Sequence, residues 1–309
     1  MPKAPKVTLI SSTKHPVETM IVLWRISRDE PSLGSAEEIA YRRSINPEFD
    51  KEMQDYFQEL LKLQIPLTTS LSFNFLLENI PVALREQMVR HRVGSHFDDK
   101  IGVDILPDIG ESSWWSQTMR TKDKGGFFDS GEYRMADSIA TREEAKKIYE
   151  DTLKAVQDAY NKIQELGVPR QDARDLLPMA MTHAISWTLN MRTLIHVIGK
   201  RTCWIFQSET WHPVIEGITT GLRKLDPSFT KLIEPPCLSK GVYGHCPYNH
   251  ENVRKVERKD PSTPPCPLWI MKEAKDKELA LAEMNADPRT PGYLARFTAL
   301  WGFDPLAVK

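Results

Sequence analysis

Two stretches of alternating apolar residues, each running straight toward a helix start, constrain this chain more than any other feature. Leu71, Phe73, Phe75 and Leu77 alternate with Ser70, Ser72, Asn74 and Leu76, a period close to two that predicts a strand. Pro81 then stands where a helix begins, its missing N–H harmless at the first helical position. Met181, His183, Ile185, Trp187 and Leu189 repeat the pattern a hundred residues on and lead to Asn190, which predicts an N-cap and a second strand-to-helix passage.

The remaining elements fall around these two. Val17 to Arg25 is apolar and β-leaning and predicts an opening strand. Ala36 to Ile45 and Pro47 to Leu63 predict helices, the second from Phe49, Met53, Phe57, Leu60 and Leu61 at near-helical spacing. Pro66 ends that element. From Gly94 to Gly131 periodicity is lost; so long a loop within a compact domain is usually functional or mobile. Thr141, with Glu144 three residues on, predicts the capped start of a long helix. Its buried stripe is expected from Ala145, Ile148, Tyr149, Val156, Ala159, Tyr160 and Ile163, with Gly167 closing it. After about Leu225 prolines cluster, and a charged helix is expected near Lys272 to Met284. The chain therefore divides into a main domain, residues 1–228, and a Pro/Cys/His-containing extension, residues 229–309.

A formal net charge of −1 exerts no global pull on nucleic acid or anionic membrane, so any anionic partner must meet a local basic cluster. No apolar run approaches the ~20 residues that cross a bilayer, and no signal-peptide core follows the basic N-terminus. The expectation is a cytoplasmic protein with no membrane and no nucleic-acid polymer as partner. Four cysteines are too sparse for a disulfide scaffold. In the extension, Cys237, His245, Cys246, His250 and Cys266 are ligand types for zinc, but they lack a C-x-x-C knuckle and no metal is assigned.

Local basic clusters do exist. Gln87-Met88-Val89-Arg90-His91-Arg92 places Gln87 one turn from Arg90 and His91. A second set, Arg170, Asn190, Arg192, His196, Arg201 and Gln207, follows the later turn and strand, with Arg192 and His196 on one helix face. Guanidinium forks suit phosphates and carbonyl edges. Taken singly, each arginine also reads as solvated charge, those at a helix C-terminus being favoured by the dipole. His196 alone reads equally as a satisfied core histidine, and His183, mid-strand, is assigned to the core. Trp114 and Trp115 are either a hydrophobic anchor for the long loop or a stacking surface for a ring. No carboxylate or thiol stands out as a covalent nucleophile, and Cys203 reads as a small core residue.

The pattern is stronger than its parts. Leu166-Gly167-Val168-Pro169-Arg170, Ala173-Arg174, Leu177-Pro178, Trp187-Thr188-Leu189-Asn190, Arg192, His196, Arg201 and Gln207 keep a spacing that closely resembles the flavin-dependent thymidylate synthases. Arg90-His91-Arg92 matches the start of that family's signature. The run from Pro66 through Phe73 and Phe75 to Pro81 and Gln87 resembles its lead-in, as does Ala40 to Ser44 near the N-terminus. The resemblance spans roughly residues 17 to 225. It implies an α+β fold of the thymidylate synthase-complementing-protein type, a mixed or antiparallel sheet flanked by long helices.

It also implies FAD bound between subunits of a homotetramer, NADPH as reductant, and methylenetetrahydrofolate as donor of a one-carbon unit to C5 of dUMP. Carried over residue by residue, Gln87, Arg90, Arg170 and Arg201 would hold the pyrimidine deoxynucleotide monophosphate. His91, Arg92, Asn190, Arg192, His196 and Gln207 would line the flavin.

The chain departs from the family at two places. The signature serine, separated from Arg-His-Arg by seven intervening residues, is Lys100 here. After an insertion, Ser113 with Glu111, or Ser116 in a polar run with Arg120, can take its role beside Arg201 in catalysis; Ser116 is favoured, with Glu111 and Arg120 as its companions in binding substrate. The Glu-His pair that follows the position of Pro66 is Thr68-Thr69. Methylation of dUMP to dTMP is the leading expectation. Hydroxymethylation of dUMP, methylation or hydroxymethylation of dCMP, and a non-catalytic nucleotide-binding relative stand as alternatives.

Overall fold

The computed structural model of the chain describes residues 2–62, 70–88, 97–98, 103–104, 112–116, 124–202, 210–229, 278–279 and 282. The chain forms two compact units interleaved in sequence. The first comprises Met1–Thr13, Ser72–Thr193 and Glu209–Gly221; the second comprises Lys14–Leu71, Leu194–Ser208 and Leu222–Lys309.

The first unit is built on an antiparallel sheet. Its strands are β1 (Lys6–Ser12), β2 (Ser72–Pro81), β5 (Ser112–Ser116) and β6 (Thr182–Asn190), in the order β1-β2-β6-β5. The two alternating stretches are its central pair, with Phe73 opposite Leu189, Phe75 opposite Trp187 and Leu77 opposite Ile185. All six of these side chains are buried, which accounts for the period of two. Beyond Leu77 the register shifts before Ile80. Asn79 there takes a left-handed φ of 58°, a conformation asparagine tolerates, and its amide donates to the Ala4 carbonyl at 2.9 Å. The bulge returns Ile80 to the buried face. Pro81 is the last residue of β2, so helix α4 (Val82–Met88) begins one residue later than expected.

The stretch expected as an open loop supplies an edge strand. β5 pairs antiparallel with β6, Trp114 standing opposite Trp187, and a separate two-stranded pair joins β3 (Phe97–Asp98) to β4 (Val103–Asp104). β5 carries no alternation of its own, which is why periodicity did not reveal it.

Helix α5 (Asp137–Ala140) precedes the long helix α6 (Glu143–Glu165) and corrects the predicted cap. Thr141 donates its hydroxyl back to the Asp137 carbonyl at 2.8 Å, closing α5, and the residue flanking α6 is Arg142. The buried face of α6 is Leu153, Gln157 and Tyr160, whereas Ile148 of the predicted stripe is exposed. Gln157 is buried because its amide oxygen accepts from Phe128 N (2.8 Å) and its NH2 donates to Asp129 (2.7 Å), tying the preceding turn to the helix. Gly167, at φ 86°, ends α6 as expected. The short α7 (Arg170–Ala173) and a 3-10 turn, Arg174–Leu176, lead to β6.

Helix α9 (Trp211–Leu225) lies against β1 through its glycines. A Cβ on Gly217 would stand 2.5 Å from Val7 Cβ, and one on Gly221 would stand 3.3 Å from Leu9 Cβ. Gly217→Ala is therefore expected to lose about 1–3 kcal/mol, the usual cost of overpacking. Thermal denaturation checks this, and an unchanged melting temperature would refute the close approach.

The second unit contains helices α1 (Pro16–Ser27), α2 (Ala36–Ile45) and α3 (Pro47–Lys62), the last two as predicted. The opening strand expected over Val17 to Arg25 is instead helix α1. Pro16 occupies its first turn, and Val17, Met20 and Ile21 are fully buried at helical spacing. Packing against α2 and α3 overrides the β-leaning composition, since intrinsic propensity is a weak prior. Helix α2 opens with a capping box that the sequence reading missed. Ser35 Oγ accepts from Glu38 N at 3.3 Å, and the Glu38 carboxylate accepts from Ser35 N at 2.7 Å. Phe57 meets Phe229 edge to face, centroids 5.5 Å apart. Of the predicted tail helix, residues 278–279 and 282 are helical; the rest of it lies outside the described residues.

Candidate functional site

Helix α8 (Met191–Arg201) carries Arg192, His196 and Arg201 of the second set. Asn190 caps it as expected: its side-chain oxygen accepts from Thr193 N at 2.9 Å, and the residue is buried. Arg192 lies in the first turn of α8, directly after this cap. His196 follows one turn later on the same side of the helix, and both side chains are half-buried. Arg201 is the final residue of α8. Burial draws its guanidinium down to about 10, which leaves it charged at neutral pH.

Arg170 opens α7, directly after Gly167-Val168-Pro169, and is exposed. Gln87 sits in the last turn of α4 and accepts a hydrogen bond from the indole N–H of Trp211 at 2.6 Å. Trp211 is fully buried and its ring lies 6.3 Å from that of Trp187. Ser113 and Ser116 belong to β5, where they stand opposite Thr188 and Ile185 respectively. Of the two, Ser113 is nearer the Asn190 end of β6. Arg90, His91, Arg92, Glu111, Arg120 and Gln207 lie outside the described residues, as do Thr68, Thr69, Lys100, Cys203 and the metal-ligand candidates Cys237, His245, Cys246 and Cys266. Gln87, Arg170, Asn190 and Arg192 thus belong to the first unit, and His196 and Arg201 to the second.

Three further polar residues received little or no role from the sequence. Trp211 was unassigned, its periodicity being that of any amphipathic helix. Arg43 lay inside the family-like stretch Ala40 to Ser44 and is buried among Glu18, Asp50 and Asp226. Its three partners are scattered along the chain, and no local signal marks them. Lys124, buried and 3.0 Å from Glu132, was passed over within the loop.

His183 is buried, in line with its assignment to the core. Burial, then the charges of Arg85 and Lys124, push its imidazole down to about 4. Its ordinary value lies near 6.5, so the unfolded chain takes up this proton first as the pH falls. Stability is therefore expected to decline between about pH 6.5 and 4, by up to about 1.4 kcal/mol per unit from this one group. His183→Gln should flatten that part of a denaturation-versus-pH profile. An identical slope in the variant would refute the assignment.

Among the described residues, no helix is long and apolar enough to cross a membrane, and no group of three or more His, Cys, Asp or Glu side chains is arranged to hold a metal ion.

The family profile described as "Thymidylate synthase complementing protein" matches residues 8–228. A flavin-dependent thymidylate synthase of Geobacter sulfurreducens is 27% identical over 242 residues, covering 78% of this chain and 90% of the relative. One from Pyrococcus furiosus is 24% identical over 257 residues, covering 76% and 94%. A crystal structure of thymidylate synthase X from Helicobacter pylori with FAD and dUMP covers 77% of this chain and 100% of its own, at 12% identity and a TM-score of 0.47. The chain belongs to the thymidylate synthase complementing protein family. Its fold is of the α+β class, with an antiparallel sheet and long helices.

Proposed function

We propose that this chain is a flavin-dependent thymidylate synthase, transferring a one-carbon unit from methylenetetrahydrofolate to C5 of dUMP with FAD as cofactor and NADPH as reductant. The observation that carries the reading is the family match over residues 8–228, which takes in both basic clusters. The curated relatives that cover most of the chain bear the same name.

The residues present fit a flavin. FAD, when bound, supplies the hydride; the protein supplies position and field. Arg192 offers a permanent cation and His196 an imidazole from one side of α8, a donor set suited to the electron-rich edge of a reduced isoalloxazine. In this reading Asn190, with His91, Arg92 and Gln207, completes the flavin contacts. Gln87, Arg90, Arg170 and Arg201 hold the nucleotide. Arg201 suits that role: it stands half-buried at the end of α8, and a guanidinium is a bidentate ligand for phosphate. Ser113 or Ser116, with Glu111 and Arg120, stands in for the signature serine. The family region is residues 1–228, and residues 229–309 form an extension to it.

The reading includes a cytoplasmic homotetramer. Around the exposed Arg170, Leu166 (74% exposed), Val168 (37%), Leu176 (41%) and Met179 (52%) also face outward. Exposed apolar side chains of this kind support a subunit contact near Arg170.

Purified protein is expected to be yellow and to bleach anaerobically with NADPH. Release of tritium from [5-³H]dUMP should require both folate and NADPH, and mass spectrometry should find one added methyl group. A hydroxymethyl product, or turnover of dCMP alone, would replace dUMP methylation by the corresponding alternative. A colourless protein that binds no added FAD would overturn the reading.

A further inference from the structure

The side-chain hydrogen bond that Gln87 accepts from Trp211 decides which way its amide faces. An indole N–H is a donor only, so the atom 2.6 Å from Trp211 Nε1 is the Gln87 oxygen. The oxygen and the NH2 group diverge from a single carbon, so holding the oxygen on Trp211 turns the NH2 group away from it. Trp211 itself is well anchored. It is fully buried, it lies against Trp187, and it begins the helix that Gly217 and Gly221 bring close to β1.

We infer that Trp211 is a positioning residue that locks Gln87 as a hydrogen-bond donor, so that the site selects a pyrimidine carrying a carbonyl at C4 over one carrying an amine. The inference rests on the reading of Gln87 as a nucleotide contact. A uracil O4 accepts from the NH2 group, whereas a cytosine N4 amine meets it donor to donor. A mismatch of that kind leaves both groups unpaired and is costly in an enclosed site.

The test is calorimetric binding of dUMP and dCMP to the full-length, FAD-loaded protein and to three variants. Wild-type protein should favour dUMP by about tenfold or more, the scale of one lost hydrogen bond in a closed site. Trp211→Phe frees the amide to rotate, and the preference should shrink to about two- to threefold. An unchanged preference in a folded Trp211→Phe protein overturns the inference. Circular dichroism monitors folding of the variants. If Trp211→Phe does not fold, Gln87→Glu decides the matter alone. The Trp211 N–H then engages one carboxylate oxygen, the other presents an acceptor, and the balance should move toward dCMP; an unmoved ratio overturns the inference. Gln87→Ala separates this from the underlying reading. Unaltered dUMP affinity in that variant removes Gln87 from the nucleotide site altogether. Weakened affinity there, with an unmoved ratio in the other two, overturns the selection at C4 and leaves Gln87 as a nucleotide contact of another kind.

Discussion

Arg43→Ala is expected to remove about 3–5 kcal/mol of folding stability, enough to unfold a large fraction of a typical domain. The side chain is 7% exposed and serves three carboxylates from different parts of the second unit. Its Nη1 donates to Glu18 of α1 and to Asp226 beyond α9, the latter at 2.8 Å, and its Nε donates to Asp50 of α3 at 2.7 Å. Further donors complete the network: Gln54 reaches the second oxygen of Asp50 at 2.8 Å, and Ser228 N reaches that of Asp226 at 2.8 Å. Desolvation opposes the charge of Arg43, but the bonds and charge of Asp226, the Asp50 bond and the Glu18 charge outweigh it and raise the guanidinium above its ordinary range.

Removing that cation leaves three carboxylates facing one another with little water to screen them. Arg43→Lys should recover only part of the loss, since an ammonium cannot reproduce the planar fork. Urea denaturation at pH 7 measures both variants. A loss below about 1 kcal/mol at pH 7 would mean the network is closer to a surface ion pair in worth.

Arg43 also illustrates what sequence reading reaches and what it does not. β2 and β6 were legible because each strand's burial alternates with the pleat, so the periodicity is written in the strand itself. The capping role of Asn190 was legible for the same reason, being decided within three residues. By contrast, Glu18 and Asp226 stand 25 and 183 residues from Arg43, and nothing local couples them. α1 was misread because Val17 and Ile21 satisfy a strand's composition as well as a helix's spacing. β5 depends on β6 for its pairing and has no pattern of its own. The site behaved similarly. The candidate arginines and amides are singled out by their spacing, a property of the chain, whereas Trp211 stands out only through the 2.6 Å contact with Gln87.

The second large effect concerns binding and comes from an arginine in the opposite electrostatic situation. Arg201→Ala is expected to weaken dUMP binding about 100- to 1000-fold while leaving the melting temperature of ligand-free protein nearly unchanged. Two charge-assisted hydrogen bonds of about 1.5–3 kcal/mol each account for a loss of that size. Desolvation lowers the Arg201 guanidinium to about 10, the reverse of the shift at Arg43. Arg201→Lys keeps the charge and loses the bidentate fork, so its affinity should fall between wild type and Arg201→Ala. Calorimetric titration with dUMP, paired with thermal denaturation without ligand, separates the two quantities. A fall in melting temperature as large as that of Arg43→Ala, with dUMP affinity retained in whatever remains folded, would make Arg201 a structural residue and leave the nucleotide's phosphate to Arg90 and Arg170.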